Sequence, residues 1–260
     1  MQALTRNEAR LLAAVLALAL LAALAPALPQ PAHYHAFAER RAWLGIPHAL
    51  DVLSNLPFIL AGGAGLVLLL RVPSDRLERS SRALATLSFL GLLFTALCSA
   101  WYHWQPDDAG LAVDRLGMAV AFAGLLGLAA AGRISARAGI ALALAVLLLA
   151  PLTVWVCARS GNVLPWALLQ GGGMALLGVS AVLPARPGTL AVRWGVLILL
   201  YALAKALELA DHSVYALSAH LVSGHSLKHL LSALAVWPVL ASVMALGQNA
   251  ANRAALPSQK

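Results

Sequence analysis

The feature that most constrains this chain is a succession of apolar stretches, each about as long as a bilayer is thick. A helix needs about 20 predominantly apolar residues to cross the hydrocarbon core. Eight stretches of the 260-residue sequence qualify, at roughly 9–28, 49–70, 83–103, 111–131, 138–157, 163–183, 191–210 and 218–246. Hydrophobic residues make up 61% and charged residues 11%, against about 45–50% and about 25% in soluble domains. An ordinary soluble domain, a disordered chain and a coiled coil are thereby excluded. Leu and Ala dominate, which favours helices over a barrel of alternating lipid-facing residues. Lipid offers the backbone no hydrogen-bonding partner, so the expectation is an all-α integral membrane protein. Cys98 and Cys157 both lie inside apolar stretches and build neither a zinc ribbon nor a disulfide framework.

The net charge of +8 follows from topology. With the N-terminus cytoplasmic, one side carries Arg6, Arg10, Arg71, Arg76, Arg79, Arg82, Arg133, Arg137, Arg186, Arg193, Arg253 and Lys260. The other carries only Arg40, Arg41 and Arg159. Such asymmetry fits the positive-inside rule and eight crossings with both termini inside. It gives no support for nucleic-acid binding, and no protein partner is implied. The first stretch has a rival reading as a cleaved signal peptide, with a basic start and small residues at Ala23–Ala25. Pro26 directly after that site argues against cleavage, so an uncleaved anchor over 1–30 is expected. An amphipathic outer connection over 31–48, a seven-helix core over 49–246 and a cytoplasmic tail over 247–260 complete the expected organisation. Pro57, Pro151, Pro165 and Pro238 fall inside spans and are expected to kink them. The Gly171–Gly173 run suggests close helix packing or a flexible point.

Polar groups are expensive inside a membrane, so their positions are informative. Asp51, Ser54 and Asn55 sit at the outer end of the second span, Ser99 and His103 at that of the third, Asp114 and Arg115 at that of the fourth. Lys205, Glu208, Asp211 and His212 mark the seventh span, and His225, Lys228 and His229 the outer half of the eighth. All fall on one side, as one outward-facing polar cup would. His225 and His229 are four residues apart, so both rings leave one helix face. Such a pair can hold one metal ion, and His103, at matching depth, is the best third ligand. Zinc lowers the pKa of a bound water to about 7. Asp114 is placed to orient or deprotonate that water, and Ser99, one turn before His103, to hydrogen-bond a carbonyl oxygen.

Plainer readings suit other residues. His33, His35 and His48 are expected to be interfacial, His220 a rim residue, and Asp107 and Asp108 a solvated outer turn. Lys205, Glu208 and Asp211 form one helical stripe, read as a structural salt-bridge network. Trp101, Trp104, Trp155, Trp166 and Trp237 call for nothing beyond interfacial or packing roles.

Together the Ser99-Ala-Trp-Tyr-His103, Val113-Asp114-Arg115-Leu116-Gly117-Met118 and Gly224-His225-Ser226-Leu227-Lys228-His229 segments resemble the alkaline ceramidase family. That family lies within the membrane hydrolase superfamily that includes the adiponectin and progestin receptors. The likeness is closest to its bacterial members, through Asp51-Val52-Leu53-Ser54-Asn55-Leu56-Pro57-Phe58 and the Gly-His-x-x-Lys-His form. It spans roughly residues 45–245, which makes the second to eighth spans a seven-helix core and the first an additional N-terminal helix. The resemblance implies zinc on His103, His225 and His229, Asp114 assisting the zinc water, and Ser99 in the site. It implies hydrolysis of a lipid amide in a bacterial inner membrane, giving a fatty acid and an amine-bearing lipid such as a sphingoid base. The acidic calcium-binding segment of the eukaryotic members has no counterpart: His48 stands near where their Glu does, and Asp51 is the nearest carboxylate. This argues against a structural calcium. Two other classes compete: a heptahelical receptor with a structural zinc, and a proton-coupled transporter using Lys205, Glu208 and Asp211. Short loops disfavour the first, and the lack of an inverted repeat disfavours the second.

Overall fold

Local signals in the sequence set where the helices begin and end. Thr5 and Glu8 form a capping box at the first helix, the hydroxyl accepting from Glu8 N and the Glu8 side chain from Thr5 N. Asp107 accepts from Gly110 N, and Ser135 from Ala138 N, at two later helix starts. The computed structural model describes residues 3–254, and the described residues form helices without strands. In order these are α1 (Arg6–Leu24), α2 (Ala49–Leu53), α3 (Leu56–Arg71), α4 (Arg79–Trp104), α5 (Asp108–Arg133), α6 (Ala136–Ser160), α7 (Leu164–Val182), α8 (Trp194–Leu209), α9 (Asp211–Leu217), α10 (Gly224–Leu234) and α11 (Trp237–Ala254).

Seven of the expected stretches are helical and long and apolar enough to cross a membrane, taking α2 with α3 and α10 with α11 as single spans. The eighth, expected over 191–210, is α8. Its 16 residues cover about 24 Å, less than the hydrocarbon thickness of about 30 Å. The chain bends at Ala210 and continues as α9. The end of the expected tail, residues 255–260 with Lys260, lies outside the described residues, as does the Arg253 side chain.

Of the four prolines expected to kink helices, only Pro151 lies past the first turn of one. Proline has no N–H and clashes with the carbonyl four residues earlier. Pro57 and Pro238 therefore end the preceding helices at Leu53 and Leu234, splitting two spans into α2–α3 and α10–α11. Pro165 occupies the first turn of α7, where a missing N–H costs nothing.

α5 is the central helix, buried along most of its length. It packs against α4 with almost no side chain between the backbones. A Cβ on Gly91 would stand 2.2 Å from Ala121 N, and one on Gly124 2.3 Å from Ser88 N. The triple glycine divides its roles: Gly171 faces open space, Gly172 seats Leu18 of α1, and Gly173 packs on Leu126 of α5. α1 docks mainly on α7 and is otherwise exposed along its length.

The two ends of the bundle differ in chemistry. At one end Arg82 donates to the carbonyls of Leu69, Val72 and Pro73. Arg186 there reaches Ala131 O and pairs with Glu78, and Glu8 meets Ser135 and Arg137. The opposite end holds the connection between α1 and α2, which crosses over the openings of α4, α5, α8 and α10.

Candidate metal centre

Two helices deliver the three histidines. His103 sits on the last turn of α4, held there by the α4–α5 packing, while His225 and His229 occupy successive turns of α10. All three are buried, and one ring nitrogen from each lies within 4.8 Å of the others. His103 Nε2 and His225 Nε2 are 3.2 Å apart. Two nitrogens bound to one tetrahedral zinc at about 2.0–2.1 Å would stand about 3.3–3.4 Å apart, so the spacing fits a shared ion.

Hydrogen bonds fix the ring states needed for a cation. The Ser54 hydroxyl donates to Asp51 O at 3.0 Å, so it accepts from His229 Nδ1 at 2.7 Å. His229 Nε2 then carries its lone pair, and it is buried with no partner. Lys228 Nζ, which can only donate, lies 3.1 Å from His225 Nε2, so that nitrogen is unprotonated and its lone pair faces the ammonium. The His229 lone pair has no such donor, and a buried lone pair without one is costly unless a cation meets it. The residues present therefore fit a metal ion.

The sequence singled out Asp114 and Ser99, and the structure brings them together. Both are buried and line one cavity, and the Asp114 Oδ1 is left without a partner. Asp114 faces the same cavity as His225 and Lys228. Ser99 and His229 line a smaller apolar cavity that also reaches Asp114.

The expected salt-bridge stripe divides in two. Lys205 pairs with Glu208, whose other oxygen takes Lys228 Nζ at 2.9 Å. Asp211 stands apart from these ions. Its carboxylate accepts from Ala38 N at 2.9 Å and from His225 N at 2.8 Å, tying the outer connection to the first turn of α10. Asp51 is a second such anchor. Fully buried, it accepts from Ser223 at 3.0 Å and Ser226 at 2.6 Å at the α10 N-terminus. Both carboxylates aim α10, and with it His225 and His229.

The outer connection does more than link two helices. Phe37 is buried against His103 and His225, with ring centroids 4.8 and 4.5 Å away, and closes the site from outside. His212 bonds to Ala36 O, and the Arg41 side chain to Leu221 O, which hold the strap down. Glu39 is fully buried beneath it. Burial alone would push its carboxyl up, but hydrogen bonds from Arg41 and the charge of that guanidinium hold it below the usual carboxylate range.

Several plain readings need revision. Asp107 caps α5, and Asp108 accepts from Gln30 and meets His35 Nε2, so neither is merely a solvated turn. His35 also bonds to the Tyr102 hydroxyl, and His48 to Glu39 O from a left-handed backbone position before α2. Trp166 is buried beneath Arg115, whereas Trp101, Trp104, Trp155 and Trp237 are exposed on the helix surfaces. Phe37, Tyr102 and the Ser54–His229 bond were missed as site features. Only Ser54 gave a signal, through its place beside Asn55 in the polar cup. Comparison with known proteins returned no matching family model, no matching curated protein and no matching solved structure.

Proposed function

We propose that this protein is a zinc-dependent integral-membrane hydrolase of lipid amides, resembling the alkaline ceramidases. The observation that carries the reading is the meeting of three buried histidines, one ring nitrogen of each within 4.8 Å of the others, beside two unlike cavities that both reach the buried Asp114. The outer cavity, of about 550 Å³, is lined by charged groups. The inner one, of about 80 Å³, is lined by Phe58, Leu92, Phe122 and other apolar side chains. Asp114, Met118, Tyr201, Lys228 and Ser232 border both. An amphipathic substrate would place its chain in the second and its polar part in the first, with the scissile bond between them.

His103, His225 and His229 would hold the zinc, which when bound supplies Lewis acidity and lowers the pKa of its water to about 7. Asp114 is the carboxylate available to accept a proton from the attacking water and return it to the departing nitrogen. Ser99 lines the apolar cavity beside Asp114, and its single O–H would donate to the substrate carbonyl oxygen there. Phe37 and the strap keep bulk water from the centre, so the substrate would enter sideways from the bilayer. Water and R–CO–NH–R′ give R–COOH and H₂N–R′, a fatty acid and a free amine lipid. N-acyl sphingoid bases are the first substrates to screen. By the positive-inside rule, the charge asymmetry supports an orientation with the arginine-rich end in the cytoplasm of a bacterial cell and the histidines toward the outer face.

The test begins with metal content. Detergent-purified protein is expected to carry about one zinc per chain, lost in the His225→Ala/His229→Ala variant. Asp114→Asn should retain zinc while turnover falls by about 10²–10⁴-fold, the usual weight of a general base. Full activity in His225→Ala would overturn the mechanism, and zinc loss in Asp114→Asn would make the carboxylate a ligand instead.

A further inference from the structure

One cation in the outer cavity forms no direct ion pair. Arg115 is only 3% exposed, yet among the described residues no carboxylate lies within 4 Å of its guanidinium, and Asp114 and Asp108 act on it only from farther away. Its Nη1 donates to the Cys157 thiol at 2.8 Å, a weak acceptor, Tyr34 is its other neutral partner, and its Nε has none. The guanidinium lies over the rings of Tyr34 and Trp166, at 5.5 and 5.7 Å from their centroids. Guanidinium stays charged at any ordinary pH. A buried charge without a paired anion is costly, and aromatic faces offset only part of that cost. The other two cations in the cavity, Lys205 and Lys228, already share Glu208. Asp211 is spent on two backbone N–H groups.

We propose that Arg115 is an anion-recognition residue, selecting N-acyl lipids whose headgroup carries a carboxylate or phosphate over neutral ones. The guanidinium sits in the wall of the cavity that also contains Asp114, His225 and Lys228. A headgroup entering from the amide-cleaving end would therefore bring its anion to Arg115. Nε–H and the remaining guanidinium edge would donate to it in the paired geometry that arginine offers planar oxyanions. Trp166 and Tyr34 fix the plane of the guanidinium, so little side-chain freedom is lost on binding. N-acyl amino acids and N-acyl amino-alcohol phosphates carry the anion a few bonds from the amide and fit the description. The choice of amide lipids rests on the hydrolase reading, whereas the anion site does not.

Titration calorimetry on the zinc-loaded protein in neutral detergent tests this. The probes are N-lauroylglycine, its methyl ester and N-lauroylethanolamine phosphate, with release of lauric acid followed in parallel. The wild type is expected to bind at least one of the two anions tenfold or more tighter than the ester. Which anion it prefers separates a carboxylate source from a phosphate source. Arg115→Gln should close the gap, and Arg115→Lys should keep part of it. Equal affinity of the wild type for both anions and the ester overturns the proposal, whether or not the variants fold. Anion preference without lauric acid release from any probe leaves the anion site standing and removes the hydrolase reading. Release from the ester without anion preference does the reverse.

Discussion

At the scale of single residues, the centre depends on groups that never touch a substrate. Ser54 is the clearest case. By donating to Asp51 O and accepting from His229 Nδ1, it fixes the tautomer that leaves His229 Nε2 free for a metal. Ser54→Ala is expected to fold normally and to lose about 10–100-fold in zinc affinity, the usual effect of removing such a supporting bond. Chelator competition on the purified variant measures this; unchanged affinity would mean that packing alone orients the ring. His225 and His229 could be singled out from spacing because a helix puts residues four apart on one face. His103 joined them only through depth in a neighbouring span. The supporting partners were not legible, because hydrogen bonds between residues 175 positions apart leave no periodic trace.

At the scale of elements, the α4–α5 contact carries His103 and Asp114 at fixed separation. A Cβ on Gly91 meets the backbone of Ala121, which no side-chain rotation can relieve. Gly91→Ala should therefore cost stability at the upper end of the range of about 1–3 kcal/mol for overpacking, or beyond it. Loss of zinc is expected alongside. Gly63, with nothing near its missing Cβ, is the control: Gly63→Ala should stay within about 1 kcal/mol of the wild type. Thermal unfolding in detergent, with metal content on the same samples, checks both. The helices themselves were legible from length and hydropathy. Their breaks were legible only in part, since proline marks where a carbonyl loses its donor but not whether the helix bends, stops or begins. At Pro57 and Pro238 the chain stops four residues upstream, and at Pro57 the gap holds Ser54 against His229.

At the scale of the whole molecule, arginines gather at one end and the histidine centre lies at the other. The proposed orientation predicts opposite labelling of two exposed positions in a background with Cys98 and Cys157 replaced by Ala. A membrane-impermeant maleimide should label Ser160→Cys in intact cells and Ser74→Cys only after lysis. The reverse pattern would invert the protein, and labelling of both in intact cells would undo the separation of the ends. Sequence alone determined the all-helical class with helices long and apolar enough to cross a membrane, the two-ended charge distribution and the histidine set with Asp114, because these follow from composition, period and depth along one axis. Tertiary structure alone decided how the outer segment is used. It laid Phe37 over two histidines, turned Asp51 and Asp211 into anchors for α10, and left Arg115 buried without a direct ion pair among the described residues. Those outcomes depend on which helices become neighbours around the bundle axis. Hydropathy measures depth in the membrane and is blind to position around that axis.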